Sequence, residues 1–495
     1  MGMDRGKWLV VLAVNMAMAL AALDNTVVGT AMPTVVASLG GLSLFSWVFS
    51  IYLLTSTAAL PIFGRLSDLF GRRNMFLVAI WVFTGASALC GLAHSMVFLI
   101  AARALQGIGA GGIFALSQAV FADIFAPHER GRMQGYLSAV WGISALIGPL
   151  VGGLIVTYLG WRWTFFVNIP VGVIANYLLV VGLAGKVSEG RRRRIDYAGA
   201  ACLVVGIVSF MLALLEVGRV GHLLSIETLA GLAVCTLFTG AFLVVEGRVP
   251  EPILPLGLFS SQTFVTPTTC LFLSGLAMFG ATAFIPLFVQ AVLGGTAVQA
   301  GSVLTPISLS WVMGSALGGR LLNRLGFRTL AVAGMVCLTT GYVLFTRLGP
   351  GSPLAYAAAS GVVLGLGMGV ITVTTVVAVQ TGAPREQIGV VATLPFFFRN
   401  IGATIGVAIM GTIFTAHLSA PGGGPLTLVG GEGAFQDVPA LLRGEMAQGI
   451  RAAFRFGLGA VALGLPISLL VPHLSPAPPA GQTDAAGTRP AVTLD

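Results

Sequence analysis

Residues 64–73 read GRLSDLFGRR, and residues 319–328 read GRLLNRLGFR. Gly, Arg, Leu, Gly and the final Arg coincide at a spacing of 255 residues. A second pair repeats at nearly the same spacing. Gly135, Gly148 and Gly152 of GYLSAVWGISALIGPLVGG fall on Gly389, Gly402 and Gly406 of GVVATLPFFFRNIGATIGV, 254 residues on. Two matches at one offset mark an internal duplication rather than chance recurrence of glycine-rich runs. Each copy of the first motif follows the second helix of a six-helix block. The chain therefore divides into two six-helix halves, 1–186 and 262–472. Between them, residues 187–261 supply a basic loop and two extra helices. Residues 416–448 read as a long Gly/Pro-rich outer loop, and 473–495 as a disordered tail.

Composition names the solvent. Of 495 residues, 56% are hydrophobic and 9% charged, with a mean hydropathy of +0.95. A soluble domain carries roughly 25% charged residues, so this chain belongs in a membrane. Fourteen apolar segments, from 8–36 to 449–472, approach the length of about 20 residues that a spanning helix needs. The first is long enough to span and no clear cleavage region follows it, so it reads as a helix rather than a removed leader. The 67 glycines suit closely packed membrane helices. Five cysteines, all within apolar runs, show no metal spacing, and no disulfide framework or metal site is expected.

Lys and Arg set the orientation. With the N-terminus inside, the inner segments hold 18 of them and the outer segments 6; Arg103 and Arg399 lie within helices. Both termini are expected in the cytoplasm. The basic pI of 9.8 is then a topology signal, spread over short loops, and not a nucleic-acid footprint. The run RRRR at 191–194 sets topology or meets anionic lipid headgroups.

With these features in view, four local signatures carry a resemblance. LDNTVVGTAMP (23–33), GRLSDLFGRRN (64–74), RALQGIGAG (103–111) and GPLVGG (148–153) resemble motifs of the major facilitator superfamily. The combination is similar to its fourteen-helix drug–proton antiporter branch. One departure is Ser144, where the fuller fifth-helix motif has glycine. The resemblance implies an all-α polytopic fold of two six-helix halves plus two inserted central helices. It implies a proton-coupled antiporter in the cytoplasmic membrane that exports amphipathic compounds by alternating access. Its expected partners are a small amphipathic substrate, protons and membrane lipids, with no nucleic acid, no cofactor and a monomeric chain. Export of a lipid or other hydrophobic metabolite by the same fold is the alternative.

Physical reasons stand beside the resemblance. Asp68 sits among Arg65, Arg72 and Arg73, beside Gly64 and Gly71, where a carboxylate adds nothing to the positive-inside bias. It can pair with an arginine or accept hydrogen bonds from a helix N-terminus. The resemblance makes it a latch holding the two halves in an outward-open state. The second copy has Asn323 instead, so the latch is one-sided. Gly148, Pro149, Gly152 and Gly153 permit close approach and a bend in the fifth helix. Tyr52, Trp141, Phe279, Trp311, Phe397 and Phe398 are candidate cavity walls, lipid-facing positions being the other reading of each.

Asp24 is the remaining carboxylate at membrane depth. It falls about 24 Å along the first helix, Arg103 about 10 Å below the outer face and Arg399 about 15 Å above the inner one. All three can meet if they face inward. An intramembrane charge is a functional hypothesis by default. A static ion pair that only holds helices together is the other reading. In general a desolvated carboxylate holds its proton and a nearby guanidinium releases it. An arginine that approaches and withdraws would thus make Asp24 a coupling site. Arg103 is the preferred partner, because the fourth-helix motif supplies it, and Arg399 the second. The five histidines lie in loops or at helix ends, and no HExxH, phosphate-loop or GxSxG pattern is present. An enzyme is therefore not expected, and ATP does not supply the energy. A facilitator without ion coupling would not need Asp24.

Overall fold

The computed structural model describes residues 5–40, 44–182, 196–220, 225–249, 252–295, 297–383, 387–417 and 440–472. No strand occurs among the described residues. The first helices are α1 (Arg5–Leu39), α2 (Phe45–Phe70), α3 (Arg72–Gly91), α4 (Met96–Ile124), α5 (Pro127–Leu159), α6 (Trp163–Phe166) and α7 (Asn168–Gly182). They are followed by α8 (Tyr197–Val220), α9 (Ile226–Glu246), α10 (Gln262–Leu287), α11 (Ala297–Thr346), α12 (Leu354–Thr381), α13 (Ile388–Ala416) and α14 (Ala440–Leu469). Eleven helical spans among the described residues are long and apolar enough to cross a membrane. Helix is what that solvent imposes, since it bonds every backbone N–H and C=O within its own segment.

Several boundaries differ from those read in the sequence. The segment expected at 164–185 is α6 and α7, separated at Val167. Residues 440–448, read as loop, open α14. The segments expected at 298–318 and 329–346 run together in the 50-residue α11, whose one non-helical residue is Gly326, at φ 74° and ψ 171°. Its counterpart in the repeat, Gly71, divides α2 from α3 at φ 88° and ψ 142°. Both glycines hold a left-handed backbone that a Cβ resists. The duplicated motif is thus a helix-to-helix corner with no intervening loop. The basic run 191–194, residues 418–439, His222 and the tail from 473 lie outside the described residues.

One buried core is built from residues 270–471. A second is built mainly from residues 10–211, with Val376, Phe396 and Phe397 joining it from α12 and α13. The helices of the two cores cross where side chains vanish. α2 meets α13 at Gly64, where an added Cβ would fall 2.9 Å from the Gly389 carbonyl oxygen. α5 meets α11 at Gly319, where a Cβ would fall 2.1 Å from the Gly131 carbonyl oxygen. Polar contacts surround these crossings. Arg130 Nη1 donates to the Gln380 carbonyl (2.9 Å) and its Nη2 to the Ala122 carbonyl (2.7 Å). Asn323 Nδ2 donates to the His128 carbonyl (3.0 Å). The ends of α2, α4 and α12 and the starts of α5 and α13 meet here, so one end of the molecule is closed by backbone against backbone.

Overpacking such a crossing costs roughly 1–3 kcal/mol. Gly319→Val is therefore expected to open this end, raising the maleimide reactivity of a Gln380→Cys probe by about fivefold or more in a cysteine-free background. Unchanged reactivity would show that the Gly131–Gly319 crossing is not what seals it.

Candidate functional site

Asp24 is 1% exposed and Arg103 fully buried. Arg103 Nη1 is bonded to Asp24 Oδ2 in a salt bridge between two side chains with no solvent exposure. The other carboxylate oxygen accepts from Gln106 Nε2 (2.9 Å) and Asn168 Nδ2 (3.1 Å). Both donors also reach Ser87 Oγ, at 3.2 and 2.9 Å. Arg103 Nη1 donates to Gln106 Oε1 (2.7 Å), its Nε reaches the Val48 carbonyl (3.4 Å), and its Nη2 has no acceptor. An unpaired ion at this depth costs several kcal/mol, and paired groups need their remaining lone pairs and protons satisfied. The chain meets that demand for the carboxylate with polar residues from α3, α4 and α7, and leaves Arg103 Nη2 without an acceptor.

Arg103 also lies over the Tyr52 ring, its Cζ 4.1 Å from the centroid. Tyr52 lines a central cavity of about 1260 Å³ whose other walls include Trp141, Phe279, Trp311, Phe396 and Arg399. Asp24 and Arg103 do not line it. The Tyr52 ring therefore stands between the ion pair and the cavity. The cavity runs away from the closed end. It reaches Trp47 near the start of α2, Gly411 near the end of α13, and Glu216 and Glu227 at the facing ends of α8 and α9.

Arg399 is not part of the Asp24 cluster. It lies in the cavity wall, with its Nη2 on Asn400 Oδ1 (3.2 Å). Of the six aromatic residues expected in the wall, Tyr52, Trp141, Phe279 and Trp311 line it. Phe397 and Phe398 do not. Phe397 is 6% exposed within the core and meets Phe398 edge to face (5.3 Å), which meets Phe259 (6.0 Å). Phe396 takes the wall position, packed on Phe114 at 4.7 Å. Successive helical residues point about 100° apart, so one step in sequence exchanges wall for core.

At the closed end, Asp68 caps a helix of the other core. Its Oδ1 accepts from the Gly389 amide (3.1 Å) and its Oδ2 from the Val390 amide (3.2 Å), in the first turn of α13. Those amides lack intrahelical acceptors, and the dipole of α13 favours the negative charge. Arg72 pairs with Asp68 at 2.6 Å and with Asp123 at 2.8 Å. Arg73 Nε finds no acceptor. Gly64 supplies the close α13 contact and Gly71 the corner that sets Arg72 beside Asp68.

The fifth-helix motif packs on the Asp24 turn of α1. A Cβ at Gly148 would fall 2.0 Å from Thr26 Oγ1, and Thr26 reaches the Ser144 carbonyl at 3.3 Å. Gly152 is buried, whereas Gly153 has nothing within 4 Å. Pro149 lies within α5, and its side chain is outside the described residues.

The sequence reading missed Gln106, Asn168, Ser87 and Asp123. Gln106 had a signal: three residues after Arg103, it shares that helix face. Asn168 is an isolated amide in the apolar run FFVNIP. Ser87 carried no signal, and Asp123 lies at the end of α4.

The family model described as Major Facilitator Superfamily matches residues 14–407. Over 416 residues the chain is 38% identical to the multidrug transporter protein MdtP of Bacillus subtilis, covering 84% of this chain and 77% of that protein. Multidrug resistance protein 3 of the same organism is 35% identical over 407 residues, covering 82% of this chain and 79% of that one. The efflux pump FUS6 of Gibberella fujikuroi is 32% identical over 422 residues, covering 83% and 76%. The solved structure of the human organic anion transporter MFSD10 superposes with a TM-score of 0.67 over 94% of this chain and all of that one. At 15% identity, that likeness concerns the fold alone.

Removing one partner of a buried ion pair strands the other and costs about 3–5 kcal/mol. Arg103→Gln alone is expected to lower the unfolding midpoint of the detergent-solubilised protein more than the double variant Asp24→Asn/Arg103→Gln does. A loss in the double variant equal to the sum of the losses in Arg103→Gln and Asp24→Asn would mean that the two charges are not energetically coupled.

Proposed function

The chain belongs to the Major Facilitator Superfamily, and from that premise we propose that it is a proton-coupled antiporter exporting amphipathic organic compounds by alternating access. The names of its relatives support the export of drug-like molecules. The large, mostly apolar cavity with aromatic walls supports an amphipathic cargo. The observation that carries proton coupling is the sealed Asp24–Arg103 pair, separated from the cavity by the Tyr52 ring.

In this reading Asp24 is the proton site. Protonation neutralises the carboxylate and loosens Arg103, whose guanidinium rests on the cavity wall through Tyr52. Cargo pressing on Tyr52 from the cavity side would act on the same arginine. Proton and cargo thereby compete without sharing a site. A cargo in the cavity does not meet the carboxylate itself, since Asp24 does not line the cavity.

The closed end carries Arg65, Arg72, Arg73 and Arg130, so the positive-inside rule makes it cytoplasmic. The cavity then faces outward. Asp68 on α13 is the bond that must break when the halves rock inward. In this reading α5, α8 and a division of α11 at Gly326 add to the eleven spans to make fourteen crossings, with both termini inside and α8 and α9 as an insert between two six-helix halves.

In inverted vesicles, Asp24→Asn is expected to reduce proton-driven uptake of an exported dye by about tenfold or more, a typical loss when a buried functional charge is removed. Energised uptake by this variant with the parent's pH dependence would exclude Asp24 as the coupling site. Asp68→Ala is expected to insert at normal abundance and to transport poorly. Normal export by Asp68→Ala would remove the latch from the mechanism.

A further inference from the structure

Arg399 is a cation in search of a partner. It lies near the middle of α13, on the face that also gives Ala403, Val407 and Gly411 to the cavity. Its Nη2 uses Asn400 Oδ1, and its buried Nε meets no acceptor. Among the described residues no carboxylate pairs with it. The two acids on the same cavity wall, Glu216 and Glu227, stand at the facing ends of α8 and α9. A guanidinium offers five N–H donors, and an ion in an apolar wall is costly unless paired.

The surroundings are built to hold this side chain. At Gly275 of α10 a Cβ would fall 2.8 Å from Arg399 Cγ, so the missing side chain makes the room. Three rings surround the guanidinium, Phe396 at 5.0 Å, Trp311 at 5.9 Å and Phe279 at 6.0 Å from Cζ. Their faces partly offset its charge but accept none of its in-plane hydrogen bonds. Asn400 is itself tied to Thr57 Oγ1 on α2 (3.3 Å), which holds the Arg399–Asn400 unit against the other core. Among the described residues no anion completes this site, and the cavity is the space that opens onto it.

We propose that the transported compound carries an anionic group, a carboxylate, sulfonate or phosphate, bound by Arg399, with its apolar body against Trp311, Phe279 and Phe396. This rests on the reading of the cavity as the cargo site and specifies the charge of the cargo. Asp24 and Arg399 then divide the work: the acid is sealed away for the proton, and the base is left open to the cargo.

The test uses the purified full chain in neutral detergent and three probes sharing one fluorophore: dansylglycine, its uncharged amide, and the cationic dansyl-ethylenediamine. The carboxylate probe is expected to bind about tenfold or more tightly than the cationic one, the value of one charge-assisted pair. Arg399→Gln should raise the Kd of the carboxylate probe by about the same factor and leave the amide within about twofold, while Arg399→Lys keeps the preference for the carboxylate. Wild-type binding of the cationic probe as tightly as the carboxylate, or an unchanged carboxylate Kd in Arg399→Gln, would overturn the anion site and leave the export reading standing. Failure of all three probes to bind the wild type would overturn both. The source of the anion is read by competition. Displacement of dansylglycine by 2-naphthoate marks a free amphiphile, and displacement by phosphatidylglycerol but not phosphatidylcholine marks a lipid headgroup. Displacement by neither would overturn the site.

Discussion

A carboxylate without water must be given its hydrogen bonds by the protein, and Asp24 recruits them from far along the chain. Arg103, Gln106 and Asn168 converge on it, and Ser87 joins the two amides behind it. These residues stand on α4, α7 and α3, so one acid on α1 organises four helices around a point the bilayer would otherwise forbid. The cluster also has a cavity side. Arg103 lies on the ring of Tyr52, a residue that lines the cavity. What happens to the charge on Asp24 and what happens in the cavity are thus separated by one aromatic ring.

The closed end follows a different physical rule. There the two cores touch through glycines, at Gly64 with Gly389 and at Gly131 with Gly319. Backbones this close leave no room for side chains, so polarity is handled by groups that reach around the crossing. Asp68 takes the amides that begin α13, and Arg130 takes carbonyls that end α4 and α12. Helix termini carry unsatisfied groups, and the other core satisfies those of α12 and α13, whereas the α4 carbonyl is met by Arg130 of its own core. Packed interfaces of this kind are in general bistable rather than continuously deformable. That property suits the rocking motion proposed for transport.

Much of this was legible in the sequence, for reasons that differ from residue to residue. The duplicated glycines Gly71 and Gly326 showed because a left-handed corner admits no other residue so readily. Asp24, Arg103 and Arg399 showed because charge is conspicuous in an apolar run. Separating the two arginines took the structure: depth alone placed both near Asp24, and only rotation about α13 turns Arg399 into the cavity. The same rotation exchanged Phe396 for Phe397 and Phe398. Ser87 was invisible because small polar residues are common in membrane helices, and only the meeting of α3, α4 and α7 gives it and the isolated amide Asn168 a shared partner. Helix ends were the least legible. Gly326 joins two expected helices without a loop, and α14 begins inside the expected outer loop.

The central claim is that a sealed acid exchanges its proton with cargo held across a single ring. It is tested most directly by proton release from the purified protein. An exported compound is added to a weakly buffered detergent solution containing a pH indicator. The wild type is expected to release protons in proportion to the cargo bound, and Asp24→Asn to bind the same cargo with no release. Equal release by Asp24→Asn, or none by the wild type at saturating cargo, would contradict the account.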